Sequence, residues 1–557
     1  MLRKEGDMIE GTDVLIAGGG LAGLTLALQL KQRLPALDIV VLERRKHPVP
    51  AATHKVGESS VEIGADYFET VLGLGDHLTS RQLRKFGFRF FFSDGRRDVD
   101  NVLEVGQSRY LSIPTYQIDR GIFENFLAEQ ARAAGAKFID GAVVRTFTLG
   151  GGARERDAAR GHHITYEQGG EQRLISARWL VDASGRAGLL KRHLGLAEPN
   201  AHDANAVWFR IGARIDVDDW SDDAGWLARC DPRERWLSTN HLVGEGYWVW
   251  LIPLASGSHS VGIVADARMH PLAEMNSFER AMGWLHRHQP RLAESLEALR
   301  GQLRDFAFLR GYSYGCKQVF AAERWAITGD AGVFLDPFYS PGGDFIAIAN
   351  TYITELVSKD LEGARVARFA KLYERVYFDF YRIMLSIYVD QYAIFGDPEV
   401  MPVKVIWDYA YYWGILCQLF FQRRLTDAAM LARLHRELAA TRELNEAMQP
   451  FLRAWSRVSR KRNDATMIDQ AALGWFAELN RGLRDTLDDA GFDARIRESC
   501  ALLHGLAAEI IARAGAEHPA LACSALRALI GQQAERTGPL PQVPLYGERA
   551  ASLALAG

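Results

Sequence analysis

The chain has 557 residues, 48% hydrophobic and 24% charged, enough to bury a large core and to divide into two or more lobes. A formal net charge of −3 removes any general electrostatic case for nucleic-acid binding. The five cysteines, Cys230, Cys316, Cys417, Cys500 and Cys523, are scattered and form no CxxC or Cys/His cluster, so no metal site or disulfide framework is expected and a reducing cytoplasm is the default compartment.

Asp13 to Ala17 is an aliphatic run of the kind that forms a parallel strand buried on both faces. It runs into Gly18-Gly19-Gly20-Leu21-Ala22-Gly23, where Gly18, Gly20 and Gly23 have the GxGxxG spacing of a dinucleotide turn, with Leu21 and Ala22 inside it. Apolar residues at helical spacing follow, which places a helix N-terminus at the ligand's phosphates. A second buried strand, Ile39 to Leu42, ends in Glu43 and Arg44. Glu43 lies about 20 residues beyond the turn, where an acid can accept both ribose hydroxyls. Strand, glycine turn, helix, strand and acid in this order specify a dinucleotide site far better than the turn alone. Because the strand opens so early, no secretory leader is expected.

Lys55-Val56-Gly57-Glu58 is a loop before a helix with a core stripe at Ile63, Tyr67 and Val71. From Arg81 to Phe92, Phe86, Phe88, Phe90 and Phe92 share one parity, and Lys85, Gly87 and Arg89 the other. On periodicity alone this is a half-buried strand with a solvated basic face. Gln117, Asp119 and Arg120 open a helix, and two short strands flank a glycine-rich turn between residues 150 and 161. The strand Trp179 to Val181 ends in Asp182-Ala183-Ser184-Gly185, small residues that permit close backbone approach to a ligand. Residues from about 205 to 309 suggest antiparallel strands. Among them Trp248, Trp250 and Ile252 alternate on one face and Pro253 ends the run. Gly329-Asp330-Ala331 then precedes Pro337, Tyr339, Ser340, Gly342 and Gly343 at the start of another helix. Beyond residue 360 the pattern is helical and aromatic; Val403 to Phe421, broken by Lys404, Asp408 and Gln418, is expected to be a core helix, or at most a surface-seeking one, and not a membrane span.

Residues 10 to 350 resemble the FAD-dependent aromatic monooxygenase superfamily through the Gly18–Gly23 turn with Glu43, Asp182–Gly185 and Gly329–Ala331. The resemblance implies an FAD-binding Rossmann-like α/β fold (residues 1–360), an inserted antiparallel sheet region (205–309) and a helical C-terminal region (361–557). It also implies that Asp330 binds the ribityl chain and that Gln117 and Arg120 lie beside the cofactor. No second complete GxGxxG unit is present for a nicotinamide nucleotide, so reduced FAD is expected to come from a separate flavin reductase.

Within that superfamily the chain resembles the flavin-dependent halogenases. Trp248-Val249-Trp250-Leu251-Ile252-Pro253 matches their WxWxIP motif, and Phe334, Pro337, Ser340 and Gly342 match a second. Lys55 to Glu58 is similar to their GxGE-type loop, with Lys55 in place of a glycine, and Lys85 stands where that family places its catalytic lysine. The resemblance implies that reduced FAD and oxygen oxidise chloride or bromide to hypohalous acid, which Lys85 captures by hydrogen bonding or as a haloamine. The halide would sit at Gly342 and Gly343, whose N–H groups face it at a helix start; Pro341 has none to offer. Tyr339 stands where the tryptophan-specific enzymes carry a glutamate, and tyrosine is a poor base at neutral pH. An activated phenol or pyrrole, free or carrier-bound, is therefore the expected substrate, in the setting of secondary-metabolite biosynthesis. The alternative is an FAD-dependent aromatic hydroxylase or other oxidoreductase that uses the scaffold without halide.

Overall fold

A computed structural model describes residues 10–51, 55–150, 161–460 and 462–546. Most of the glycine-rich turn between residues 150 and 161 lies outside this description. The chain forms two compact units, each built from separated segments: residues up to 82, 118–200 and 313–380 in one, and 83–117, 201–312 and 381 onward in the other. The compact units thus follow a different division from the compositional change near residue 360. The sheet from about residue 205 and the helices beyond residue 381 belong to the same unit.

The first unit is built on a seven-stranded sheet. Its order is Lys137–Asp140, Ile39–Glu43, Glu10–Ala17, Glu171–Asp182, His162–Gln168 and Ala142–Thr148, with Trp325–Ile327 also paired to Glu171–Asp182. Glu10–Ala17 runs parallel to both of its neighbours. Val14, Leu15, Ile16, Val40 and Val41 are buried, as the unbroken aliphatic runs require when both faces are covered. The helix Leu21–Arg33 packs against Arg120–Ala133 and Gly342–Leu361. Asn350 pins this packing. Its amide donates to the Ala22 carbonyl at 3.1 Å, to Thr25 Oγ1 at 3.1 Å and to Tyr67 Oη at 3.0 Å, and accepts from Thr328 Oγ1 at 2.7 Å.

The second unit is built on an eight-stranded sheet: Leu303–Leu309, Ala204–Ile211, His259–Asp266, Tyr247–Pro253, Thr239–Gly244, Phe88–Phe91, Glu104–Gly106 and Met467–Asp469. From Leu303–Leu309 to Thr239–Gly244 every pairing is antiparallel, as the alternation predicts. Phe88–Phe91 then pairs parallel to Thr239–Gly244, and Met467–Asp469 parallel to Glu104–Gly106. One face carries a core of Val207, Phe209, Trp226, Val249, Leu251, Val261, Ile263 and Trp284.

The solvated basic face expected beside the phenylalanines is absent. Gly87 has φ +66°, which interrupts the strand, and Lys85 lies before it in a loop, 3% exposed. Arg89 is fully buried and ion-paired with Glu104, which Arg235 also holds at 2.9 Å; Arg89 Nη2 donates to the Gln107 carbonyl at 2.6 Å. The two guanidinium groups keep Glu104 ionised below the usual range despite burial that pushes the other way. Val400–Tyr411 is a buried helix; its Lys404 is paired to Asp408 at 2.9 Å and donates to Gln449 at 2.8 Å. Among the described residues no helix is long and apolar enough to cross a membrane.

Candidate functional site

The glycines of the first turn serve different needs. Gly18 has φ +121°, and a Cβ there would lie 2.3 Å from the Ala183 carbonyl oxygen. The backbone of Ala183 and Ser184 is therefore packed against the glycine turn. A Cβ at Gly23 would lie 1.9 Å from the Gly18 carbonyl oxygen, the close helix–strand approach expected of the third glycine. Gly20 differs: its φ of −86° suits any residue, and a Cβ there would meet nothing nearer than 3.9 Å. The space at this position lies at the helix start, beside Lys55 Nζ and Glu124 Oε1.

Glu43 lies at the end of its strand. One carboxylate oxygen accepts the Gly19 N–H at 2.7 Å and the other the Arg45 N–H at 2.8 Å, which fixes the group and leaves lone pairs for hydroxyl donors. Arg44 is exposed. Arg120 Nη2 donates to Glu124 at 2.7 Å and Nη1 to the Val56 carbonyl at 2.8 Å, while its buried Nε has no partner among the described residues. Lys55 is ion-paired with the same Glu124, a carboxylate with no solvent exposure. Arg120 and Lys55 hold Glu124 ionised below the usual range against the opposing effect of burial. This two-cation, one-anion cluster beside Gly20 is anionophilic, as a phosphate site must be. It escaped sequence reading because Lys55 and Glu124 lie far apart in the chain; the only local hint was the i,i+4 spacing of Arg120 and Glu124.

Asp330 follows the Trp325–Ile327 strand. Burial raises its carboxyl pKa, and the cations Arg120, Arg186 and Lys191 oppose that rise. No protein donor bonds its side chain among the described residues, so a polyhydroxylated chain could supply one. Gln117, expected beside the cofactor, has both ends of its amide engaged within the second unit. It donates to Thr239 Oγ1 at 2.9 Å, accepts from the same hydroxyl at 3.2 Å, and is fully buried. Its side chain ties the Tyr116–Gln117 strand to Thr239.

After Asp330 the chain turns through Pro337 and Ser340, whose N–H donates to the Pro337 carbonyl at 2.9 Å. Ser340 has φ +53°, a left-handed conformation that a serine holds only under constraint. The helix Gly342–Leu361 starts directly after this bend, so its first N–H groups have no partner in the helix. Asp344 anchors this first turn by accepting the Gly64 N–H at 2.9 Å. Tyr339 is buried, its ring centroid 4.6 Å from that of Phe338.

In the second unit Lys85 Nζ sits 3.3 Å from the centroid of the Phe88 ring, and its backbone N–H donates to the Thr115 carbonyl at 2.8 Å. Phe88 also meets His241 at 5.3 Å and Tyr409 at 6.1 Å between ring centroids. His241 in turn lies 5.2 Å from Trp248, and Trp248 lies 5.6 Å from Trp250. Pro253 ends the tryptophan strand opposite His259. The second unit thus gathers Lys85, Trp248 and Trp250, and the first gathers the glycine turn, Glu43, Arg120, Asp330 and the Pro337–Gly343 bend. His241 and Tyr409 were not foreseen; they join Lys85 only through the tertiary fold.

The model of the FAD binding domain family FAD_binding_3 matches residues 11–260. Flavin-dependent halogenase chlA of Dictyostelium discoideum is 26% identical over 78% of this chain and 76% of its own length. The chain is thus similar to a flavin-dependent halogenase over most of its length. A 1H-pyrrole-2-carbonyl–peptidyl-carrier-protein chlorinase of Pseudomonas fluorescens is 28% identical over 59% of this chain and 72% of its own. The crystal structure of halogenase PltM, solved also in complex with phloroglucinol and FAD, shares the fold with a TM-score of 0.61 at 18% identity. The match covers 94% of this chain and 99% of PltM. The cofactor is FAD, and the space at Gly20, the cation pair on Glu124 and the unbonded Asp330 carboxylate all fit it.

Proposed function

We propose that this chain chlorinates or brominates an electron-rich phenolic or pyrrolic ring through hypohalous acid held at Lys85. Reduced FAD and dioxygen supply the oxidising power when the cofactor is bound. The Gly18–Gly23 turn, Arg120 and Lys55 would bind the diphosphate, Glu43 the ribose and Asp330 the ribityl hydroxyls. The open N–H groups of Gly342 and Gly343 would bind the halide, since a helix N-terminus favours an anion.

The observation that carries the reading is the burial of Lys85 against Phe88, in one aromatic cluster with His241 and Trp248. The ring face of Phe88 attracts an ammonium, which supports Lys85 as a proton donor, while burial favours the neutral amine that a haloamine would need. Lys85 would donate a hydrogen bond to the oxygen of hypohalous acid, the ring would take the halogen, and oxygen would leave as water once the ring proton is lost. With Tyr339 in place of a carboxylate, ready loss of the proton from an activated ring becomes a requirement on the substrate. The chlorinase relative acts on a carrier-bound pyrrole, which supports a pyrrolic substrate, and PltM binds phloroglucinol, which supports a phenolic one.

The test is to incubate the enzyme with FAD, a flavin reductase, NADH, oxygen and bromide over a panel of phenols, pyrroles and indoles, and to weigh the products. Brominated phenols or pyrroles support the reading; hydroxylated products alone would place the enzyme among the hydroxylases.

A further inference from the structure

Trp248 and Trp250 share one face of Tyr247–Pro253, yet different elements hold their indole N–H groups. Trp250 Nε1 donates to Ser260 Oγ at 3.1 Å, on the adjacent strand His259–Asp266, so the sheet alone fixes that ring. Trp248 Nε1 donates instead to Tyr392 Oη at 2.9 Å. Tyr392 opens the short turn Tyr392–Ile394, ahead of the Val400–Tyr411 helix and far from the sheet in sequence. Its main-chain carbonyl accepts the Gly246 N–H at 3.0 Å, so one residue grips the strand twice, at the hairpin turn and at the indole. Tyr312 Oη lies 3.3 Å from Tyr392 Oη, and the His202 ring lies 5.2 Å from that of Tyr392. Trp248, Tyr392 and Tyr312 are each at most 2% exposed.

We propose that Tyr392 is a positioning residue for Trp248, through which the C-terminal part of the chain sets the tryptophan wall of the halogenation site. The inference rests on the functional reading above. A buried indole N–H left unpaired is costly, so the hydrogen bond confines Trp248 to the rotamer that reaches Tyr392. In that rotamer the indole meets both Trp250 and His241, and His241 meets Phe88 beneath Lys85. Release of the indole would let the wall re-pack beside the cluster that holds Lys85. Hypohalous acid would then escape Lys85 before it meets the ring, and its oxidising equivalents would be lost to solvent without halogenated product.

The test is Tyr392→Phe, which keeps the ring and removes the acceptor. The ratio of halogenated product to reduced flavin consumed is expected to fall about three- to tenfold, the worth of one buried hydrogen bond. FAD affinity, read by flavin fluorescence, stays at the parent value, and the near-ultraviolet circular dichroism of the tryptophans changes. In a Trp248→Phe background Tyr392→Phe is expected to have no further effect, because it acts through Trp248. If Tyr392→Phe fails to fold, Tyr312→Phe, which withdraws the hydroxyl behind Tyr392, carries the test with a smaller loss in the same direction. An unchanged ratio in an active enzyme, or additive effects of Tyr392→Phe and Trp248→Phe, overturns this inference and leaves the functional reading standing. Absence of halogenated product from the parent enzyme overturns the functional reading itself.

Discussion

Gly20→Ala and Gly23→Ala should separate a glycine required by the ligand from one required by the fold. A Cβ at residue 23 would stand 1.9 Å from the Gly18 carbonyl oxygen and 3.1 Å from Ile16 Cγ2, so helix and strand must part by at least about 1 Å. Overpacking of this kind costs about 1–3 kcal/mol and more where backbone must move. The entropic gain of alanine over glycine, about 0.4–1 kcal/mol, does not offset it. At residue 20 the nearest atom lies 3.9 Å away, φ is −86°, and there is no side-chain cap to lose. Stability there should change by no more than about 0.5 kcal/mol. The methyl group would instead occupy the space beside the helix N-terminus and push the phosphates off its N–H groups. Charge-assisted bonds are worth about 1.5–3 kcal/mol each, so loss of one weakens FAD binding by about 10- to 150-fold. Thermal melting of the FAD-free protein and titration with FAD by flavin fluorescence read the two effects apart. Gly20→Ala should melt like the parent and bind FAD poorly, whereas Gly23→Ala should melt early. FAD binding by Gly20→Ala at the parent's affinity, or a parent-like melt of Gly23→Ala, would refute the assignment.

Three further outcomes follow from the same structure. Burial, and secondarily Arg214, push His259 down to about 3, and its Nδ1 accepts the Ile215 N–H at 3.2 Å, which requires the neutral ring. As pH falls from 6.5 towards 3 the unfolded chain takes up a proton that the folded chain does not. Stability should therefore drop by about 1.4 kcal/mol per pH unit from this group, and denaturation curves of His259→Asn, which keeps an acceptor, should show a shallower acid limb. Glu104→Gln leaves Arg89 buried without its carboxylate and Arg235 with Asp218 alone, and should cost about 3–5 kcal/mol in urea unfolding; Asp98→Asn, at an exposed pair, should cost less than about 1 kcal/mol. The purified enzyme should bind FAD yet oxidise NADH or NADPH negligibly until a flavin reductase is added; rapid NADPH oxidation without one would favour the hydroxylase class.

The strand, turn, helix and strand that open the chain were legible because their signals are local: an aliphatic run, three glycines at fixed spacing, apolar residues at helical period and an acid occupy one short stretch. The WxWxIP strand was legible for the same reason, since period-2 alternation placed Trp248 and Trp250 on one face. Lys85 was found by position, but its burial was not, because parity assigned it to solvent and ignored the positive φ of Gly87 that ends the strand. That Gln117 spends both ends of its amide on Thr239 was not legible, because sequence position says nothing of where an amide finds its partners. Glu124 with Lys55, His241 and Tyr392 were invisible, since each acquires its role from a contact made only by folding. Composition marked the onset of helices near residue 360, whereas compactness depends on where the chain crosses between units, which leaves no compositional trace.

The most direct test of the central claim is the yield of brominated product from Lys85→Ala, measured by mass spectrometry with FAD, reductase, NADH, oxygen, bromide and the best parent substrate. FAD affinity is followed in parallel. The expected result is loss of at least about 99% of the product with FAD affinity at the parent value, the scale on which a single positioned proton donor acts. Bromination by Lys85→Ala at the parent rate would contradict the assignment of Lys85 and the mechanism built on it.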